Sequence, residues 1–191
     1  LLDEKALEAQ GGKFRRYLDI DGDGIPQRTI PGNEHPGAAY FARGSGHNED
    51  AGYTENSEVY KKLLDRLRRK YETARRFVPK PIIFNSTGSK EGIISFGSSY
   101  QPTCEARDRL AAAGRKADHM LLRALPLTDE VRGFIEAHEV VYLVEQNRDG
   151  QMTQIVRDDY PDLAARIKPI RVYDGMPLAA GDLVALINGG T

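Results

Sequence analysis

The feature that most constrains the fold is an alternation of short apolar runs and amphipathic stretches in the second half of the chain. The apolar runs suit five strands, at Ile82–Phe84, Gly92–Gly97, His119–Ala124, Val140–Val144 and Ile170–Tyr173. Candidate helices lie at about residues 100–113, 129–138, 150–166 and 180–187. Such alternation predicts an α/β fold, a five-stranded and mostly parallel sheet with helices on both faces. Val140–Val144 is apolar throughout, which predicts the middle strand.

The first part of the chain has a different character. Its prolines and glycines predict a loop-rich arm, with a short helix over residues 1–10 and a short strand only at Ala38–Ala42. One long helix follows, from Ser57 to about Arg76, behind a polar cap at Asn56 or Ser57. It has one apolar face, and its other face carries eight basic residues, Lys61, Lys62, Arg66, Arg68, Arg69, Lys70, Arg75 and Arg76. Prolines at 79 and 81 predict a boundary between domains 1–78 and 79–191.

Composition excludes several classes of function. The chain has 27 Lys and Arg against 28 Asp and Glu, so its net charge of −1 gives no general attraction for nucleic acid or an acidic membrane. The lone Cys104 excludes a disulfide framework and a four-cysteine cluster, and it suits the cytoplasm. No apolar run has membrane-spanning length, and residues 1–10 lack the pattern of a signal peptide. Cys104 lies on a predicted helix with no evident base nearby, which favours a buried thiol over a nucleophile.

The arm contains a possible metal motif. Asp19, Asp21 and Asp23 open like a calcium loop, in which alternate carboxylates converge on one ion. The twelfth position is Ile30 instead of glutamate, and Pro26 interrupts the loop. We therefore predict no metal here, and calcium stays the alternative.

A second group of polar residues follows the predicted strand Val140–Val144. Open α/β sheets usually hold ligands at the carboxyl ends of their strands, where a ligand or a neighbouring subunit could use this group. Without a full phosphate-binding loop we favour the subunit. The residues are Glu145, Gln146, Asn147 and Arg148.

Four segments together resemble one known family. YLDIDGDGIPQRTIPG, AYFARGSGHNE, YKKLLDRLRRKYETA and VVYLVEQNRDGQM are similar, in this order, to the later part of the alpha subunit of 2-oxoacid:ferredoxin oxidoreductases, the 2-oxoglutarate branch in particular. The resemblance implies that domain 79–191 is a transketolase carboxy-terminal-like domain. It also implies that residues 1–78 are the tail of a pyrimidine-binding domain with a linking helix.

The resemblance also implies a chemistry that is shared with other polypeptides. The family joins a 2-oxoacid to coenzyme A and passes electrons to ferredoxin, using thiamine diphosphate, magnesium and an iron–sulfur cluster. The family's substrate motif and cluster cysteines have no match here, so we expect this chain alone to bind none of these cofactors and to be inactive. Its expected partners are the remainder of the alpha subunit, a thiamine-binding beta subunit and ferredoxin.

Within this hypothesis the arm borders the active site. The candidates for contact with substrate or partner are polar residues of the arm, Asp23, Arg28, Arg43, His47 and Glu49. Arginine suits the carboxylate of a 2-oxoacid because its guanidinium can meet both oxygens. The alternative function is an autonomous calcium- or anion-binding α/β module.

Overall fold

A computed structural model describes residues 1–85 and 89–189. The chain forms two compact units, the first comprising Leu1–Phe77 and the second beginning at Val78. The predicted domain 79–191 includes residues 86–88 and 190–191, which lie outside the described part. Within that part, no helix combines the length and apolarity needed to cross a membrane.

The second unit is an α/β layer structure. Its strands are β1 (Ile82–Phe84), β2 (Glu91–Phe96), β3 (Asp118–Leu122), β4 (Val140–Glu145) and β5 (Ile167–Arg171). The first unit holds the helices α1 (Glu4–Ala9) and α2 (Ser57–Ala74), and the second holds α3 (Tyr100–Ala112), α4 (Asp129–Glu136), α5 (Gln151–Asp159) and α6 (Ala180–Ile187). Short 3₁₀ segments lie at Gly97–Ser99 and Pro161–Arg166.

The sheet confirms the predicted fold class. Its strand order is β1-β3-β2-β4-β5, and every neighbouring pair is parallel except β1 with β3. The prediction that Val140–Val144 is the middle strand is wrong, because β2 takes that place. An apolar run indicates that helices cover both faces of a strand. Because helices cover both faces of every interior strand of such a sheet, the run does not identify the middle one.

Two apolar clusters cover the two faces of the sheet. Ile94 and Leu143 pack with α4 and α5, whereas their neighbours Ile93 and Tyr142 pack with α3 and α6. The alternation follows from the strand geometry, which points successive side chains to opposite faces. The helices are therefore held on both faces, as the sequence predicts.

Three predicted elements differ from the structure. A proline explains two of the differences, and the third element has no neighbouring strand with which to pair among the described residues. The helix predicted over 150–166 ends at Asp159, before Pro161, which cannot donate a backbone hydrogen bond. Strand β5 starts three residues earlier than predicted, and it includes Pro169 because an edge strand tolerates the missing donor. The predicted strand at Ala38–Ala42 is wrong. The backbone of Ala38 bonds instead to His35 and to the hydroxyl of Thr29.

Helix α2 begins where its cap predicts. The Asn56 side chain accepts from the backbone N–H groups of Glu58 and Val59. One stripe of its apolar face is half-exposed, however, comprising Tyr60, Leu64, Leu67 and Tyr71, at 49, 48, 42 and 44 % exposure. We call these four residues the α2 stripe. In contrast Arg66, one of the eight residues of the predicted basic face, is buried at 7 % exposure.

Candidate functional site

The arm is held in one shape by contacts between its two ends. The backbone N–H of Tyr17 donates to the carbonyl of Glu49. The Arg15 guanidinium meets both carboxylate oxygens of Asp50, at 2.8 and 3.0 Å, and one oxygen of Glu49 at 2.7 Å. These contacts close the segment between residues 17 and 49 into a loop, although it contains neither helix nor strand.

The tip of this loop packs against α2 through Gly24. Its φ of 83° is in the left-handed region, and a Cβ placed there would lie 2.2 Å from the backbone nitrogen of Lys70. The Gly24 carbonyl accepts from Arg66 Nη1 at 3.0 Å, and the hydroxyl of Thr73 donates to the carbonyl of Asp23 at 2.6 Å. Glycine is therefore required at position 24 for both conformation and space.

The aspartates of the predicted calcium motif lie together at this tip. Ligand oxygens of Asp19, Asp21 and Asp23 lie within 4.8 Å of one another. Several of these oxygens already accept hydrogen bonds. Asp19 accepts from Gly24 N and Arg69 Nη2, and Asp23 accepts from Ile25 N. Burial acts to raise the pKa of Asp19, but these hydrogen bonds outweigh it and the pKa lies below its ordinary value.

The side chains of two arginines and one histidine lie beside the ring of Tyr17. Its ring centroid lies 4.0 Å from that of His47, and the guanidinium carbons of Arg16 and Arg66 lie 4.8 and 5.8 Å from it. Desolvation is the main cause that lowers the pKa of Arg66, with further lowering by the charges of Arg16 and Arg69. Asp19 offsets part of this effect. The arm and α2 thus place two guanidinium groups and one imidazole beside the ring of Tyr17.

A cavity of about 450 Å³ opens beside this cluster. Its lining includes Tyr17, His47 and Glu49 from the arm, and Lys62 and Arg66 from α2. Two of the five arm residues predicted from the sequence therefore share one cavity, namely His47 and Glu49. Glu49 forms an ion pair with Arg15. His47 has a buried ring nitrogen, Nε2, that has no hydrogen-bond partner among the described residues.

The other three predicted arm residues lie elsewhere. Arg28 is exposed, and Asp23 binds the backbone at the loop tip. Arg43 donates from Nε to the carbonyl of Ala51 at 3.1 Å and stacks on Phe41. A contact between these residues and a substrate or a partner stays a prediction.

The sequence reasoning missed Arg66 and Tyr17. Arg66 was grouped with the basic residues of α2 because seven others share that helix. The available signal is its register, since it follows Val59 by seven residues and Leu63 by three, and so lies on their side of the helix.

At the carboxyl end of β4, the predicted polar group is largely bonded within the chain. Glu145 is fully buried, and its carboxylate accepts from the backbone N–H groups of Met152 and Thr153 and from two side chains. The Glu145 carboxylate therefore occupies the start of α5, where an external anion could otherwise bind. Gln146 accepts from the Ser98 hydroxyl, Asn147 Oδ1 accepts from the backbone N–H groups of Gly150 and Gln151, and Arg148 is exposed. Gln146 and Arg148 remain exposed at this edge, and contact with a subunit stays a prediction.

Cys104 is partly exposed, and its sulfur lies 4.0 Å from Nδ1 of His119. The expectation of a buried thiol without a nearby base is wrong in both respects. However, burial, aided by the charge of Arg107, lowers the pKa of His119 to about 4. The imidazole is neutral at pH 7 and does not form an ion pair with a thiolate.

Comparison with known proteins supports the family named by the sequence segments. Over 158 residues the chain is 28 % identical to 2-oxoacid:ferredoxin oxidoreductase 2, subunit alpha, from Aeropyrum pernix. The predicted resemblance to this family's alpha subunit is confirmed. The alignment covers 80 % of this chain but 24 % of that subunit, so the chain spans about a quarter of the relative's length. No protein-family model matches the chain.

A solved structure shows the same fold. The 2-oxoglutarate:ferredoxin oxidoreductase from Magnetococcus marinus, solved with 2-oxoglutarate, coenzyme A and succinyl-CoA bound, matches 93 % of this chain with a TM-score of 0.72 and 23 % identity. The match covers 31 % of that chain. An alpha chain of a probable 2-oxoacid ferredoxin oxidoreductase from Thermoplasma acidophilum gives a TM-score of 0.39 at 20 % identity, too low to support an argument.

Proposed function

We propose that this chain is part of the alpha subunit of a 2-oxoacid:ferredoxin oxidoreductase of the 2-oxoglutarate type. In this role it supports thiamine- and coenzyme-A-dependent oxidative decarboxylation through subunit contacts and through the arm, which borders the active site. The relative from A. pernix supports the reaction class. The M. marinus enzyme, whose structure holds 2-oxoglutarate, supports the substrate.

The α2 stripe is the observation that carries the proposed subunit contacts. Four large side chains recur at positions 60, 64, 67 and 71, one face of a helix, and each is more than two-fifths exposed. A contiguous apolar face of this kind is typical of a surface that another polypeptide covers. The rest of the alpha subunit or its beta subunit is the expected partner.

The cofactors of the holoenzyme fit other polypeptides better than this one. An iron–sulfur cluster of the usual type needs four cysteine thiolates, and the chain has one cysteine. Magnesium that holds a diphosphate requires free carboxylate oxygens, whereas Asp19 and Asp23 are bonded to the loop and to Arg69. The contribution of this chain is therefore packing and the polar lining of the arm.

Activity measurements test the proposal. We expect the isolated chain to show no coenzyme-A-dependent reduction of ferredoxin or of a viologen dye. Assembled with the complementary part of an alpha subunit and a thiamine-binding beta subunit, it should support reduction with 2-oxoglutarate and much less with pyruvate. Turnover by the isolated chain, or an assembly that is inactive with every 2-oxoacid, would contradict the proposal.

A further inference from the structure

The cavity beside Tyr17 has the size of a small-molecule site. At about 450 Å³ it lies within the usual range for ligand pockets, and it belongs entirely to the first unit. Its lining combines the ring of Tyr17 with charged side chains from α2. The cavity therefore offers both an apolar wall and polar groups.

Arg66 provides a buried cation in this cavity. Its guanidinium donates to the carbonyl of Gly24, and among the described residues no carboxylate forms an ion pair with it. The nearby carboxylate of Asp19 pairs with Arg69 instead. A buried guanidinium with donors to spare favours a planar carboxylate, whose two oxygens match its fork.

His47 provides a hydrogen-bond acceptor in the same cavity. Its Nδ1 lies 2.7 Å from the carbonyl of Ser45, which can only accept, so Nδ1 carries the hydrogen. The neutral ring then has a lone pair at Nε2. This atom is buried and has no partner within the described part of the chain, and the residue is 7 % exposed. An unpaired buried acceptor favours a ligand that donates a hydrogen bond.

Together these groups favour a ligand that has a carboxylate at one end and a hydrogen-bond donor at the other. Arg66 and His47 both line this cavity, and the Arg66 guanidinium carbon and the His47 ring centroid lie 5.8 and 4.0 Å from the centroid of the Tyr17 ring. Glu49 and Asp19 each form an ion pair with another arginine, and the charge of Asp19 offsets only part of the effect of desolvation on the pKa of Arg66. We propose that this cavity binds a small hydroxycarboxylate, with its carboxylate on Arg66 and its hydroxyl donating to Nε2 of His47. This proposal goes beyond the proposed role in 2-oxoacid oxidation, with which it shares His47, and it is tested by binding and not by turnover.

Malate and succinate form a matched pair of probes because they differ by one hydroxyl group. Isothermal titration of the full chain should give a Kd for malate of about 1 mM or tighter, and succinate should bind about tenfold more weakly. His47→Phe should remove the preference for malate. Arg66→Gln should abolish binding of both, and Arg68→Gln, at an exposed arginine of α2 that does not line the cavity, should change neither.

The comparison of ligands on the unaltered chain keeps the test decisive even if Arg66→Gln does not fold. Equal binding of malate and succinate would overturn the proposal. It would also be overturned if neither acid bound, which would leave the cavity to water, or if His47→Phe kept the preference for malate.

Discussion

Replacing Gly24 by alanine gives the sharpest test of how the arm packs on α2. A Cβ at this position would lie 2.2 Å from Lys70 N and 2.8 Å from the carbonyl oxygen of Arg66, both backbone atoms of α2. Helix and loop must therefore separate by more than 1 Å to reach ordinary contact. Gly22 is the matched control, because its φ of 80° is nearly the same and a Cβ there would meet open space.

The two variants differ in the contacts that they lose. Both place alanine in the left-handed region, at a cost of about 1–2 kcal/mol. Gly24→Ala also breaks the charged hydrogen bond from Arg66, worth about 1.5–3 kcal/mol, and the bond from Thr73, worth about 1 kcal/mol. We expect the free energy of unfolding of the first unit to fall by about 3–6 kcal/mol, against about 1–2 kcal/mol for Gly22→Ala.

Hydrogen exchange of the α2 amides measures this difference locally, which matters because the two units can unfold separately. A further loss of at least about 2 kcal/mol corresponds to exchange at least roughly thirtyfold faster in Gly24→Ala than in Gly22→Ala. Equal protection of α2 in the two variants would refute the claimed close approach of loop and helix.

Three further predictions concern the second unit and the aspartates at the loop tip. Glu145→Gln should lower the free energy of unfolding, measured in urea, by about 2–4 kcal/mol, because its amide NH₂ would face the hydrogen-bond donors that the carboxylate accepts from. The control variant Gln146→Ala, at the exposed neighbouring residue, should lower this free energy by less than about 1 kcal/mol. Because the pKa of His119 is lowered from 6.5 to about 4 in the folded chain, only the unfolded chain takes up a proton at this residue between these two pH values. The free energy of unfolding is therefore full above pH 6.5 and falls by about 3 kcal/mol as the pH drops to about 4. Urea titrations across this range should show a smaller decrease for His119→Asn and an unchanged one for His35→Asn, and an unchanged decrease in His119→Asn would count against the assignment. Calorimetry with calcium should show no stoichiometric binding at micromolar concentration, since the carboxylates at the loop tip are bonded to Arg69 and to backbone amides.

The fold of the second unit was predictable because its signals are local. Each strand is a short apolar run and each helix an amphipathic stretch, so their existence follows from periodicity alone. The order of the strands is not local, which is why an apolar run such as Val140–Val144 could not be distinguished from the true middle strand. Pro169 likewise misled the boundary of β5, since only an edge position makes it tolerable.

The arm was far less predictable, because its shape depends on contacts distant in sequence. The hydrogen bonds from Arg15 to Asp50 and from Arg66 to Gly24 join residues that are 35 and 42 positions apart. The periodicity of the sequence does not predict such bonds. His47 and Glu49 were predicted from their chemistry and both line the cavity, while their contact with a substrate or a partner stays a prediction. Arg66 was missed because a basic residue on a helix usually faces water, and only its packing against the loop shows otherwise.

Assembly through the α2 stripe tests the central claim most directly. A tagged chain is expressed with the complementary alpha-subunit segment and a thiamine-binding beta subunit, and the co-purified protein is quantified. Leu67→Asp should reduce co-purification at least about tenfold, because a charge would be buried in an apolar contact. Tyr173→Asp, at an exposed residue of the second unit, should leave it unchanged. Normal assembly of Leu67→Asp, or no assembly of the unaltered chain, would contradict the account.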